Sequence, residues 1–168
     1  MPTMYEKAEV TLPSDCEVQV TRSFNAPRAL VFRAFTEPDL VKRWMLGPPG
    51  WSMPVCEMDV REGGSYRWRW RSDADGSEFG FSGTFREVRP GEKLVHTEGY
   101  DPGDMGGGYP GKAALVTVTF AEAAGITTVT SRIDFGSKEG RDAAVATGMT
   151  DGMEMSYQLL DRLLTDQK

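Results

Sequence analysis

Residues 65–72 read Ser65-Tyr66-Arg67-Trp68-Arg69-Trp70-Arg71-Ser72. Tyr66, Trp68 and Trp70 share one parity and Arg67, Arg69 and Arg71 the other, the period-two alternation of a strand with one buried face. The ringed side needs a covering layer, because so much aromatic surface is costly to leave in water. The arginine row reads as a solvated outer face, interleaved with acids on neighbouring strands such as Glu78. Upstream, Val55 to Val60 leads into a turn at Glu62-Gly63-Gly64, where Asp59 and Arg61 are placed to form an ion pair that fixes the turn. Downstream, Asp73-Ala74-Asp75-Gly76 is a hairpin turn, and Phe79, Phe81, Gly83 and Phe85 repeat the inward parity. After Arg89-Pro90-Gly91-Glu92 come a strand from Lys93 to Glu98, a Gly-rich loop from Tyr100 to Lys112, and two more alternating runs. These carry Val116, Val118 and Phe120, then Val129, Ser131, Ile133 and Phe135.

The period changes on both flanks of this run. Val18, Val20 and Phe24 mark a first strand whose apolar face is spoiled only by Arg22. Residues 1–15 read as an N-terminal extension or a short strand pairing with it, and residues 16–168 as one domain. Pro27 suits the first position of a helix, and Leu30, Val31, Ala34 and Phe35 give that helix its apolar stripe. Thr36-Glu37-Pro38-Asp39 starts a second, short helix, which Gly47-Pro48-Pro49-Gly50 must end. From about Lys138 to Leu164, Val145, Met149, Met153, Ser156, Leu160 and Leu163 recur at helical spacing. Gly148 and Gly152 lie near that stripe and predict a close backbone approach. The fold class is therefore α+β: a curved antiparallel sheet of six to seven strands wrapped around a long C-terminal helix, with two short helices after the first strand.

Composition narrows the functional classes. The chain has 168 residues with 19 Lys+Arg against 25 Asp+Glu, a net charge of −6. That balance argues against nucleic acid as a main partner. No apolar run is long enough for a membrane span, and no apolar segment of a secretory signal opens the chain, so a cytoplasmic location is expected. Two cysteines, Cys16 and Cys56, are too few for a disulfide framework and fit a reducing compartment. With one histidine, His96, no His-based metal cluster is available, and no metal or cofactor is expected. The Gly-rich loop lacks the lysine and hydroxyl of a phosphate cradle, so nucleotide binding is not indicated either.

Four segments carry a resemblance. Ala26-Pro27, Val31-Phe32 and Phe35-Thr36-Glu37-Pro38-Asp39-Leu40 with Trp44 resemble the opening of the START-like (SRPBCC, helix-grip) proteins. More narrowly, they are similar to the branch named after the homologue of the heat-shock-protein ATPase activator. The segments Asp59-Val60-Arg61-Glu62-Gly63-Gly64-Ser65-Tyr66, Gly83-Thr84-Phe85-Arg86-Glu87-Val88 with Pro90-Gly91-Glu92-Lys93-Leu94, and Gly148-Met149 through Leu164 follow in that branch's order. The resemblance implies a helix-grip fold over residues 17–164, with a deep cavity between sheet and helix for lipids, polyketides or other apolar molecules. The chain departs from the branch in having Met45 after the first Trp and Met149 in the terminal helix, where aromatics are usual; thioethers make an adaptable wall.

The candidate ligand-binding residues are Trp44, Tyr66, Trp68, Trp70, Phe79, Phe81, Phe85, His96, Met149, Met153 and Tyr157. The leading expectation is binding of a small hydrophobic or amphipathic molecule by a monomer or homodimer, with Tyr157 or Arg61 orienting its polar end. A packed core is the competing reading of the same rings. Two further alternatives stand. One is a cyclase- or hydrolase-like enzyme in which Glu98 or His96 moves protons in the same cavity, and the other is a module that stimulates a chaperone ATPase. Tyr100, Met105 and Tyr109 are placed to form a flap at the cavity mouth.

Overall fold

The alternating runs pair into one antiparallel sheet. A computed structural model of the protein describes residues 7–101 and 113–167. Among them lie eight strands: β1 (Glu9–Thr11), β2 (Glu17–Phe24), β3 (Trp51–Met58), β4 (Ser65–Ser72), β5 (Glu78–Arg89), β6 (Lys93–Asp101), β7 (Ala114–Ala123) and β8 (Ile126–Asp134). Their spatial order is β1-β2-β8-β7-β6-β5-β4-β3, so β1 and β3 are the edges and β5 and β6 are interior. The count exceeds the expected six to seven because residues 9–11 do pair, in register with residues 19–21 of β2.

Helices α1 (Arg28–Thr36) and α2 (Pro38–Trp44) follow β2, as the proline spacing predicts. Pro27 is the N-cap of α1, and Pro38 opens α2 where its missing N–H costs nothing. Helical structure resumes as α3 (Lys138–Ala146) and α4 (Met149–Gln167). The helical period of residues 138–164 is real, but it is interrupted: Gly148 takes φ +82° and resets the phase. Val145 consequently faces solvent, 39% exposed, instead of continuing the Met149–Met153 stripe. Nothing lies within 4 Å of a Cβ built on Gly148 or Gly152, so neither glycine marks the close approach expected of it. Gly148 is required by its left-handed conformation. A Gly148→Ala variant is expected to lose about 1 kcal/mol, read as a lower melting temperature.

Arg22, the break in the β2 pattern, is the polar anchor of α4. It is 4% exposed and pairs with Glu154 (Nη2–Oε2 3.1 Å) and Asp161 (Nη1–Oδ1 2.8 Å). Glu154 also accepts from the Ala8 backbone N–H at 2.8 Å, which ties the N-terminal segment to the same helix. On the outer face Arg69 bridges Glu78 (3.0 Å) and Asp101 (2.7 Å), as the arginine row predicts. Asp59 and Arg61 pair at 2.9 Å beside Gly63, which has φ +84°.

Candidate functional site

Strand register settles which side chains share the inner face. Trp70 lies opposite Phe79, Trp68 opposite Phe81, and Tyr66 opposite Gly83. Phe81 in turn faces Tyr100, and Phe85 faces His96. The same register puts Glu98 opposite Gly83 on one side, and it pairs with Ala114 on the other. Side chains that are opposite in an antiparallel pair emerge on one face. Seven of the expected residues therefore form one continuous wall: Tyr66, Trp68, Trp70, Phe79, Phe81, Phe85 and His96. Its rings touch in sequence, Tyr66–Trp68 at 4.4 Å, Trp70–Phe79 at 5.3 Å and Phe81–Tyr100 at 5.3 Å between centroids.

The remaining four behave differently. Trp44 is sealed into the core between Phe35 (4.9 Å) and Tyr157 (6.1 Å), and its Nε1–H donates to the Ala34 carbonyl. Tyr157 packs edge-on against Phe24 at 5.3 Å, and its hydroxyl is engaged by Ser131. The two rings hold α2 and α4 to β2 and β8, away from the wall, and the Tyr157 hydroxyl has a structural partner already. Met149 and Met153, on the first turns of α4, are half-buried against the same core. Arg61 is on the surface with Asp59. Of the expected flap only Tyr100 can be placed, beside Phe81 and Phe79; Met105 and Tyr109 lie outside the described residues.

Polar groups on the wall divide into satisfied and unsatisfied. Trp70 Nε1–H donates to the Met45 carbonyl at 2.6 Å. The Thr97 carbonyl tips inward over Gly83, where a Cβ would lie 2.0 Å from its oxygen, so only glycine fits. There it accepts from the Tyr66 hydroxyl and stands 3.2 Å from His96 Nδ1. The ladder position it vacates is filled by the Thr97 hydroxyl, which accepts from Thr84 N–H at 2.9 Å. Such a strand irregularity re-aims side chains and is common near functional sites. Nδ1 also lies 3.2 Å from the Tyr66 hydroxyl, so the tyrosine, the histidine and the Thr97 carbonyl form one polar cluster. Burial pushes His96 down to about 4 despite the Thr97 bond, so the ring is neutral.

Two wall groups have no partner among the described residues. Trp68 Nε1–H is buried without an acceptor. The Glu98 carboxyl makes no hydrogen bond or ion pair, and burial alone pushes it up to about 7. Glu98 is nevertheless only partly covered, as are Phe79 and Phe81, although all three sit on interior strands. Cys56, also on this face opposite Trp68, is raised to about 11 by burial and is a poor nucleophile.

The sequence profile described as "Activator of Hsp90 ATPase homolog 1-like protein" matches residues 25–165. The chain belongs to this family. Activator-of-Hsp90-ATPase-homolog-1-like chains share the START-like fold implied by the sequence resemblance, and the solved structures agree. A Rhodobacter sphaeroides protein is 28% identical, with 96% of this chain and 99% of that chain aligned at a TM-score of 0.86. A Chromobacterium violaceum protein is 26% identical over 90% and 98% of the two chains, at 0.76. A Nitrosomonas europaea protein at 24% identity and TM-score 0.78, covering 93% and 98%, shares the fold. No functionally curated protein matches the chain. Among the described residues, no helix of this family member is long and apolar enough to cross a membrane, and no cluster of His, Cys, Asp and Glu is arranged to hold a metal.

Sequence reasoning reaches Glu98 only as the proton carrier of the enzyme alternative, reads Gly83 only as a member of the inward parity and of a family segment, and passes over Thr97. Glu98's parity with Leu94 and His96 was the available signal: an acid at an inward position of an interior strand.

Proposed function

We propose that this family member binds a small hydrophobic or amphipathic molecule against the ring wall of β4–β6. The observation that supports this is the incomplete cover of Phe79, Phe81 and Glu98 on interior strands, beside the unpartnered Trp68 Nε1–H. Interior strands of a close-packed core do not leave rings half-exposed on the covered face. A buried donor without an acceptor is equally uncommon, and a ligand oxygen would satisfy it. Tyr66, Trp68, Trp70, Phe79, Phe81, Phe85 and His96 supply the apolar contact area. At about 25 cal/mol per Å² removed from water, roughly 200 Å² of apolar contact gives about 5 kcal/mol before the cost of association.

Titration with a panel of fatty acids, sterols and polycyclic aromatics, followed by tryptophan emission, tests the reading. At least one class is expected to change the emission saturably, and Trp68→Ala is expected to weaken that ligand by about tenfold or more, in line with truncation of a buried aromatic anchor. An unresponsive spectrum across the whole panel would contradict it. The family takes its name from an activator of a chaperone ATPase, and stimulation of that ATPase without any ligand response is the outcome that would favour an interaction module instead.

A further inference from the structure

We infer that the β1 edge of the sheet is a contact between two copies of this chain, paired antiparallel about a two-fold axis at Val10. This contact is independent of the ring wall. Residues 8–12 read Ala8-Glu9-Val10-Thr11-Leu12, apolar at one parity and polar at the other. Val10 lies opposite the fully buried Val20, so the apolar parity belongs to the covered face of the sheet. The cover stops short of it: Val10 is 42% exposed and Leu12 54%. Across from Val10, α4 carries the exposed Met155, and a cleft of about 350 Å³ between β1 and α4 is lined by Ala8, Val10, Asp151, Met155 and Gln158. Three of the five large apolar side chains exposed among the described residues thus collect at one margin of the fold. Such a concentration marks an interaction surface, whereas single exposed apolar residues do not.

The two edges of the sheet differ in a way that selects the partner. β3 carries Pro54, which has no N–H to donate, and its pairing with β4 slips between Ser52 and Val55, so that edge is blunted against a further strand. β1 has neither device. It pairs with β2 in unbroken register, and among the described residues no strand covers its other side. An open edge with an uncovered apolar parity accommodates a strand of the same alternation, and β1 itself has that alternation. Setting Val10 against the partner's Val10 places Ala8 against the partner's Leu12 and Glu9 against the partner's Thr11. Every apolar side chain then meets an apolar one, and no like charges stand directly opposite. A one-residue slip sets Val10 against Thr11 or Glu9, and a two-residue slip opposes the two Glu9 side chains or leaves Ala8 unmatched. The pattern is therefore complementary to itself. Because both copies use the same patch, the contact closes as a dimer, and the blunted β3 edge keeps it from growing into a filament.

Sedimentation velocity on the full chain tests the contact. A monomer is expected at about 1 μM and mostly dimer at about 200 μM, the range of a small interface. Val10→Lys brings two ammonium groups face to face and is expected to weaken the dimer about tenfold or more, while melting like the parent at low concentration because the site is exposed. Leu115→Lys makes a matching change at the exposed leucine of β7, far from this edge in strand order, and is expected to dimerise as the parent does. A second readout does not depend on the lysine variants. Under mild copper-catalysed air oxidation Val10→Cys is expected to cross-link between copies above the parent's level, since directly opposite Cβ atoms stand about 5 Å apart, and Leu115→Cys is not. If Val10→Lys melts well below the parent, the cross-link alone decides. A monomer at every concentration overturns the inference and leaves the edge to a partner of another kind. A dimer that survives Val10→Lys, one that both lysine variants abolish, or one in which Val10→Cys does not cross-link overturns it as well.

Discussion

Replacing Glu98 with glutamine is expected to make the protein more stable at pH 8, by about 2–3 kcal/mol. The carboxyl titrates near 7 in the folded chain against 4.5 ordinarily, because burial opposes its charge. The native state therefore holds a proton that the unfolded chain has given up, and stability falls as pH rises through that window. Glutamine keeps the shape without the penalty. The variant and the parent should melt alike near pH 4.5 and diverge up to pH 7, with the gap constant above it. His96 acts in the opposite sense: its ring titrates near 4 instead of 6.5, so stability is lost as pH falls from 6.5 toward 4. In the parent the two slopes oppose one another between pH 4.5 and 6.5. In Glu98→Gln the histidine slope is unmasked, and the variant's stability should climb with pH across that interval. Melting curves that run parallel for the two proteins from pH 4.5 to 8 would show that Glu98 is not a buried, unpaired acid.

The second large effect belongs to Arg22. Arg22→Met strands Glu154, whose side chain is only 11% exposed, without its cation. Leaving one buried charge unpaired costs about 3 kcal/mol, whereas Asp161 reaches solvent and adds little. For a chain of this size the loss corresponds to a fall of roughly 6–12 °C in melting temperature. The double variant Arg22→Met with Glu154→Gln should recover most of it, because no uncompensated charge then remains. A single variant as stable as the parent would mean that α4 is held to β2 by apolar packing alone.

Much of this architecture is legible in the sequence because the alternation is strong. Tyr66, Trp68 and Trp70 against Arg67, Arg69 and Arg71 fix both the strand and its inner face, and the turns between strands bring Phe79, Phe81 and Phe85 to the same side. Period alone cannot show where a helix is interrupted. Gly148 reads as a weak helix former on a continuous stripe, whereas its positive φ separates α3 from α4 and turns Val145 outward. Parity likewise places Trp44 and Tyr157 among apolar residues without saying which rings pack and which line space. The structure assigns both to the joint between α2, α4 and β2. Arg22 looks like a flaw in β2 until its partners, 132 and 139 residues away, are known. The orphaned donor of Trp68 and the unpaired acid of Glu98 are properties of tertiary surroundings, which no local pattern records.

The indole N–H resonances of the four tryptophans test the ring wall most directly. In a two-dimensional amide spectrum, titration with a bound amphipathic ligand is expected to move the Trp68 indole signal strongly downfield as its buried donor gains an acceptor. The Trp44 signal, already committed to the Ala34 carbonyl, should stay in place. A Trp68 signal that does not move under a saturating ligand, or a Trp44 signal that moves as far, would place the bound molecule elsewhere and contradict the account.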